Sequence, residues 1–390
     1  MELEKRNTLI LSVAQGLSIT TTSINMINTG LVGAMLATNP SYSTIPLSLQ
    51  FLTIALTLIP VSLLMGKFGR RLMFLLGSLA AFIGCLIIAF SIIDKSFYLF
   101  ILGSILLGFS QANQQFYRYA AADNVSNNLK SKAISLVLAG GVIAAVVGPE
   151  VSRYSFDLFP DYIYLATYLL AASIQIINFT ILIFIKIKKP EVTAKKIRPL
   201  KDILMQKTLI IAILAAAVGY SLMSFIMTAT PLQIVNICKL GNSASSTVIQ
   251  WHIIAMFAPS FFTGSIISRF GNRKVMLVGI ILYAFSVFFG ILGDTVLNFW
   301  IALFLCGLGW NFLYVGGSDI IAKSALPEER AKVQGVTDFI IFVFVAMGSF
   351  LAGYLHSNLG WEIMLFYTII PILLIFIGII IIKPQNLKLN

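Results

Sequence analysis

Methionine and histidine at a repeated spacing are the residues of this sequence whose types first point to chemistry. Met223 and Met227 stand four apart, and so do His252 and Met256. On a helix, such an i, i+4 pair puts both side chains on one face. Thioether sulfur is a soft ligand suited to Cu(I), and imidazole also suits copper. Two or three of these donors could hold a monovalent copper ion without placing a carboxylate in an apolar setting. Packing is the competing reading, because methionine also fills gaps in apolar interiors. A second set, Thr21, Asn25 and Asn28 at i, i+4 and i+7, forms a polar stripe along one helix face. With Tyr220, that stripe suits a hydrogen-bonded organic solute as well as a copper path.

Positioning these residues falls to membrane-spanning helices. Of 390 residues, 58% are hydrophobic and 11% charged, and the mean hydropathy is +0.93. Soluble domains run at about half apolar and a quarter charged, so a water-soluble globular enzyme is excluded. Apolar runs fall at about 8–36, 42–65, 72–93, 97–120, 133–153, 162–185, 208–235, 246–268, 275–293, 296–322, 333–355 and 362–382. The expectation is an all-α membrane protein of twelve transmembrane helices, each of about 20 residues. No nucleophile–base set or phosphate loop stands out, so neither catalysis nor a resident cofactor is expected. Cys85, Cys238 and Cys306 are scattered and make neither a disulfide framework nor a tetrathiolate zinc site.

The formal charge of +12 finds its explanation in membrane topology rather than nucleic acid. With the N-terminus inside, 23 of the 27 Lys and Arg fall on inner loops and tails. That bias places both termini in the cytoplasm and the basic loops against anionic headgroups. Met1–Arg6 is polar and leads straight into a full-length span, so no cleavable signal peptide is expected. The topology also sets depth. At 1.5 Å per residue from the inner boundary, Met223 and Met227 lie roughly 22 and 28 Å up span seven. Met256 and His252 lie roughly 18 and 24 Å up span eight, in the same outer-half layer. A histidine embedded there is itself a functional flag, because ionisable groups are costly in a bilayer.

The chain divides into halves of six spans, 1–185 and 208–390, joined by a basic cytoplasmic linker at 186–207. The halves echo one another. Lys67-Phe68-Gly69-Arg70-Arg71 follows span two, and Arg269-Phe270-Gly271-Asn272-Arg273 follows span eight, 202 residues later. Lys130 and Lys132 are echoed by Arg330 and Lys332. Duplicated six-helix halves are a transporter architecture, with the substrate site expected near mid-membrane.

Those loops resemble the inner-loop signature of the major facilitator superfamily, Gly-x-x-x-Asp-Arg-x-Gly-Arg-Arg, with Ser62, Gly66 and Ser268 departing from it. The resemblance implies the major facilitator fold and an inner gate in which Lys67 or Arg70 meets Asp123, the acid matching the end of span four. The arginine that proton-driven drug antiporters carry in span four is Ser104 here. Their span-five signature survives only as Gly140, Gly148 and Pro149. Met-x-x-x-Met in span seven followed by His-x-x-x-Met in span eight resembles the CcoA-like bacterial copper importers, a branch whose relatives include riboflavin transporters. Carried over by position, Met223, Met227, His252 and Met256 would handle copper as the transported substrate.

The expectation from sequence is therefore a multi-pass importer of the bacterial inner membrane, working by alternating access. It would take copper, supplying haem–copper oxidase assembly; the alternatives are a small organic nutrient such as riboflavin, or proton-coupled drug efflux. Its partners are the ion or solute and the bilayer, with no nucleic acid. Arg118 and Asp319, near the inner ends of spans four and ten, are read as matching gate charges of the two halves. Glu150 and Arg153 are read as a local pair. Trp300 and Trp361 are read as interfacial anchors.

Overall fold

A computed structural model describes residues 2–123, 125–126, 130–187, 199–326 and 329–381. Half of the basic linker, including Lys188, Lys189, Lys195, Lys196 and Arg198, lies outside them. The described residues are overwhelmingly helical and include no strand. That is the form an apolar chain must take where no water can satisfy backbone polar groups. The chain separates into two compact units, 1–193 and 194–390.

Unit one holds α1 (Glu2–Leu36), α2 (Ile45–Phe68), α3 (Arg70–Ile93), α4 (Phe97–Gln114), α5 (Tyr117–Asp123), α6 (Lys130–Ser155) and α7 (Leu165–Ile183). Close packing rests on small residues. A Cβ on Gly140 of α6 would sit 2.3 Å from the Ser12 carbonyl oxygen of α1. Beside that contact, the Ser12 hydroxyl donates to the Leu136 carbonyl at 2.6 Å. Without a hydrophobic drive between helices in lipid, such backbone approach and interhelical bonding hold helices together.

Unit two holds α8 (Leu200–Leu204), α9 (Lys207–Pro231), α10 (Asn242–Phe257), α11 (Ser260–Phe270), α12 (Asn272–Leu292), α13 (Val296–Ser324), α14 (Arg330–Leu359), α15 (Trp361–Phe366) and α16 (Ile369–Ile381). A π-helical turn, Leu232–Ile237, continues α9 past Pro231. Helix α13 is the hub, packing on α9, α10 and α12, while α14 packs on α9. Large apolar side chains that remain exposed, such as Leu63, Ile143, Leu297 and Leu374, form the hydrocarbon face of a bilayer protein.

Two expected spans are broken. Among the described residues ten helices are long and apolar enough to cross a membrane, and α10 with α11 makes an eleventh, bent by 43°. The bend falls at Ala258–Pro259, where proline withholds the N–H that would continue the ladder. Span four is α4 followed by α5, interrupted at Gln115–Phe116. Apolar runs alone do not reveal such breaks.

The internal repeat extends to atomic detail. Gly69 and Gly271 end their helices at φ 91° and 83°, both with ψ 151°, a region that glycine enters without steric penalty. The Arg71 guanidinium donates to the Ile183 carbonyl at 2.7 Å, and that of Arg273 to the Ile380 carbonyl at 2.8 Å. Lys67 lies over the Phe68 ring and Arg269 over the Phe270 ring, each at 5.2 Å.

Candidate functional site

In unit one the α1 stripe faces inward. Thr21, Asn25 and Asn28 are all buried, as the cost of exposing amides to hydrocarbon requires. The Asn25 amide donates to Gln50 Oε1 at 2.6 Å, and Gln50 donates to Gln111 Oε1 at 2.8 Å. Gln111 in turn donates to the Thr22 hydroxyl at 2.9 Å. Tyr168 donates to Asn25 Oδ1 at 3.0 Å, and Gln175 donates to the Thr21 hydroxyl at 2.7 Å. Asn28 instead exchanges hydrogen bonds with Ser152 of α6, so it joins α1 to α6 rather than extending the chain of amides.

This network borders a narrow cleft lined by Ser18, Thr21, Thr22, Gln50, Gln111 and Gln175 among others. None of the residues lining it is charged. Sequence reading found Thr21 and Asn25 but missed Gln50, Gln111 and Gln175. The signal was present, because each is an amide inside an expected span. What was missing was the rotation of each helix, which decides whether such an amide meets a partner.

In unit two His252 is fully buried, as are Met223 and Met227, and Met256 is 5% exposed. His252 Nδ1 lies 2.7 Å from the Leu303 carbonyl oxygen of α13. A carbonyl only accepts, so Nδ1 carries the proton and Nε2 presents a lone pair. No hydrogen-bond partner meets that Nε2. Met223 and Met227 continue the i+4 row that begins at Gly219, where a Cβ would lie 3.0 Å from Leu313 of α13. The two pairs thus sit on helices that both pack on α13, with far less direct contact between α9 and α10. No cluster of three or more His, Cys, Asp or Glu suited to a metal forms among the described residues. Cys85 and Cys306 are buried free thiols, and Cys238 is a partly exposed one.

Tyr220 stands in an aromatic cluster. Its ring meets Trp310 edge-on at 5.2 Å, Tyr314 at 5.4 Å and Phe342 at 5.8 Å. Trp310 and Tyr314, one turn apart on α13, are stacked at 4.9 Å, and Phe257 of α10 meets Trp310 at 5.9 Å. The sequence reading named Trp300 and Trp361 as interfacial anchors and passed over Trp310. Its signal was its place in mid-span, away from the headgroup layers where anchors sit.

At the inner ends, Arg70 pairs with Asp123 at 2.6 Å. In the second unit Asn272, one residue after Gly271 as Arg70 is after Gly69, donates to Asp319 at 2.8 Å. Asp319 also pairs with Lys323 on its own helix. In each unit, then, the residue after the inner-loop glycine meets an acid, Asp123 in the first and Asp319 in the second. Arg118 lies over the Tyr119 ring at 4.8 Å and donates to its hydroxyl. Glu150 and Arg153 form an i, i+3 pair at 3.3 Å.

Duplicated bundles of apolar helices, each with buried polar groups and a conserved-geometry inner turn, define a secondary membrane transporter. The chain belongs to the Major Facilitator Superfamily, whose family profile matches residues 11–236 and again 223–388. It is 37% identical over 389 residues to the riboflavin transporter RfnT of Brucella anthropi, covering 98% of this chain and 97% of that one. It is also 25% identical to the uncharacterized transporter YdeG of Bacillus subtilis, over 90% of this chain and 86% of its relative. Among solved structures, the nucleoside transporter NupG matches with a TM-score of 0.71 at 15% identity, over 96% of this chain and 99% of that one. The human organic anion transporter MFSD10 matches at 0.69 and 14% identity, with coverage of 96% and 99%. The protein is a multi-pass transporter of the bacterial inner membrane.

Proposed function

We propose that this transporter imports an uncharged, hydroxyl-bearing heteroaromatic nutrient of the flavin type. The observation that carries the reading is the neutral amide and hydroxyl lining of the unit-one cleft. The amides spend part of their donor and acceptor capacity on one another, and the second N–H and lone pair of each suit the carbonyls, N–H groups and hydroxyls of a flavin-type solute. A lipophilic cation would call for a carboxylate, and that cleft lines none. Copper(I) would gain little from amide oxygens, which are hard ligands. The extensive similarity to a transporter named for riboflavin supports the same reading and favours it over copper, the leading expectation from sequence.

The test is growth of a riboflavin auxotroph that lacks its own importer, at limiting riboflavin. Wild-type protein is expected to restore growth and labelled riboflavin uptake. Gln111→Leu, at equal membrane level, is expected to lower uptake efficiency about tenfold, the scale of one lost buried hydrogen bond plus an orphaned partner. No rescue by a wild-type protein that reaches the membrane would overturn the flavin reading.

Copper remains a second reading because of one observation, the unpartnered lone pair of His252 Nε2. Donation of the other ring N–H to a backbone carbonyl is how metal-ligating histidines are commonly held. Buried thioethers on the same helix and its neighbour are soft donors of the right kind. Radioactive copper uptake restored by wild type and lost in His252→Leu would establish it; uptake unaffected by deletion of the gene would remove it.

A further inference from the structure

The aromatic cluster of unit two holds a feature that packing does not account for. Trp310 is 5% exposed, and its indole N–H has no hydrogen-bond partner. A buried donor of this kind calls for a partner that the protein itself does not supply. Around it the rings are arranged as walls. Trp310 and Tyr314 are stacked, with an interplanar angle of 10°. Tyr220 stands edge-on to both, at 74° and 77°, and Phe257 stands edge-on to Trp310 at 71°. Exposure differs across the cluster. Trp310 and Phe342 are buried, whereas Tyr220, Tyr314 and Phe257 are partly exposed. The tyrosine side of the cluster is thus partly exposed, and the indole N–H lies buried behind it.

We propose that Trp310, with Tyr220, Tyr314 and Phe257, forms a subsite for the planar ring of a neutral heteroaromatic solute. The rings stack or edge against it and the Trp310 N–H donates to an in-plane carbonyl oxygen or ring nitrogen. This inference rests on the flavin-type reading above and deepens it by naming residues of unit two that can meet a planar ring. Aromatic walls also attract organic cations through their π faces. A cation, however, carries no acceptor for the indole N–H, and an unpaired donor beside it opposes binding. The unfilled donor thus selects an acceptor-bearing ring over a quaternary ammonium or phosphonium ion.

The experiment uses the purified full chain in lipid nanodiscs, with binding read by quenching of flavin and of tryptophan fluorescence. The probes are riboflavin, lumichrome (the ring without the sugar chain), uridine, adenosine and tetraphenylphosphonium. Riboflavin and lumichrome are expected to bind with mutual quenching and to compete with each other, and tetraphenylphosphonium is expected not to compete. Trp310→Phe keeps the ring but not the donor, and is expected to weaken both flavins about tenfold, the size of one buried hydrogen bond left unmade. Tyr220→Leu removes a wall without touching Trp310, and is expected to weaken lumichrome by a similar factor. Binding unchanged in both monodisperse variants would overturn the subsite while leaving flavin import standing. Binding of uridine or adenosine but not riboflavin, lost in Trp310→Phe, would support the subsite while removing the flavin reading. Failure of every ring compound to bind, or displacement by tetraphenylphosphonium alone, would overturn the subsite.

Discussion

At the scale of single residues, two histidine nitrogens and one row of amides separate the readings of this protein. The Leu303 carbonyl fixes the His252 tautomer, so Nε2 is an acceptor that can meet a metal or a solute N–H but cannot itself donate. If the amide cleft carries the substrate, His252→Leu is expected to leave riboflavin uptake near wild type, since His252 does not line that cleft. A loss of riboflavin uptake in that variant, with normal membrane levels, would instead assign the imidazole to the flavin path. The amides behave differently because each bonds another. Removing Gln50 strands both Asn25 and Gln111, which makes the network sensitive to any one deletion.

At the scale of elements, helix contacts and helix ends have different sensitivities. Helices α1 and α6 approach so closely at Gly140 that its Cβ position already lies within 2.3 Å of a carbonyl oxygen. Gly140→Val is expected to destabilise unit one by about 3 kcal/mol, the upper end of overpacking costs, and to show as a lowered melting temperature in detergent. A melting temperature equal to that of wild type would mean that α1 and α6 separate easily. The Arg70–Asp123 pair is another matter. Asp123 has a side chain 53% exposed, and exposed pairs contribute little stability, about 0–1 kcal/mol. Asp123→Asn is therefore expected to leave the melting temperature unchanged. If the pair is an inner gate, the same variant lowers the maximal transport rate several-fold; equal rates would reduce it to a solvated helix end.

At the scale of the whole molecule, the distribution of basic residues predicts which side each loop faces, and Cys238 offers a native probe. It lies between α9 and α10 with a partly exposed thiol, whereas Cys85 and Cys306 are buried. Burial, and then the nearby Asp294 carboxylate, push the Cys238 thiol up from its ordinary range. A raised pKa leaves little thiolate at neutral pH, so labelling by an impermeant maleimide is expected to be slow at pH 7 and to rise about tenfold per pH unit toward pH 9. It is expected from the periplasmic side only, and labelling confined to the cytoplasmic side would invert the topology. The sequence by itself determined the membrane class, the two echoing halves and the inner-loop turns. These follow from hydropathy, charge bias and glycine spacing, which are local properties of the chain. Only the tertiary structure decided which polar residues act together. Asn25 meets Gln50, Gln175 meets Thr21 across 154 positions, and Tyr220 meets Trp310 across the α9–α13 contact. Which face of a helix turns inward depends on neighbours far away in the chain, and hydropathy alone does not carry that rotation.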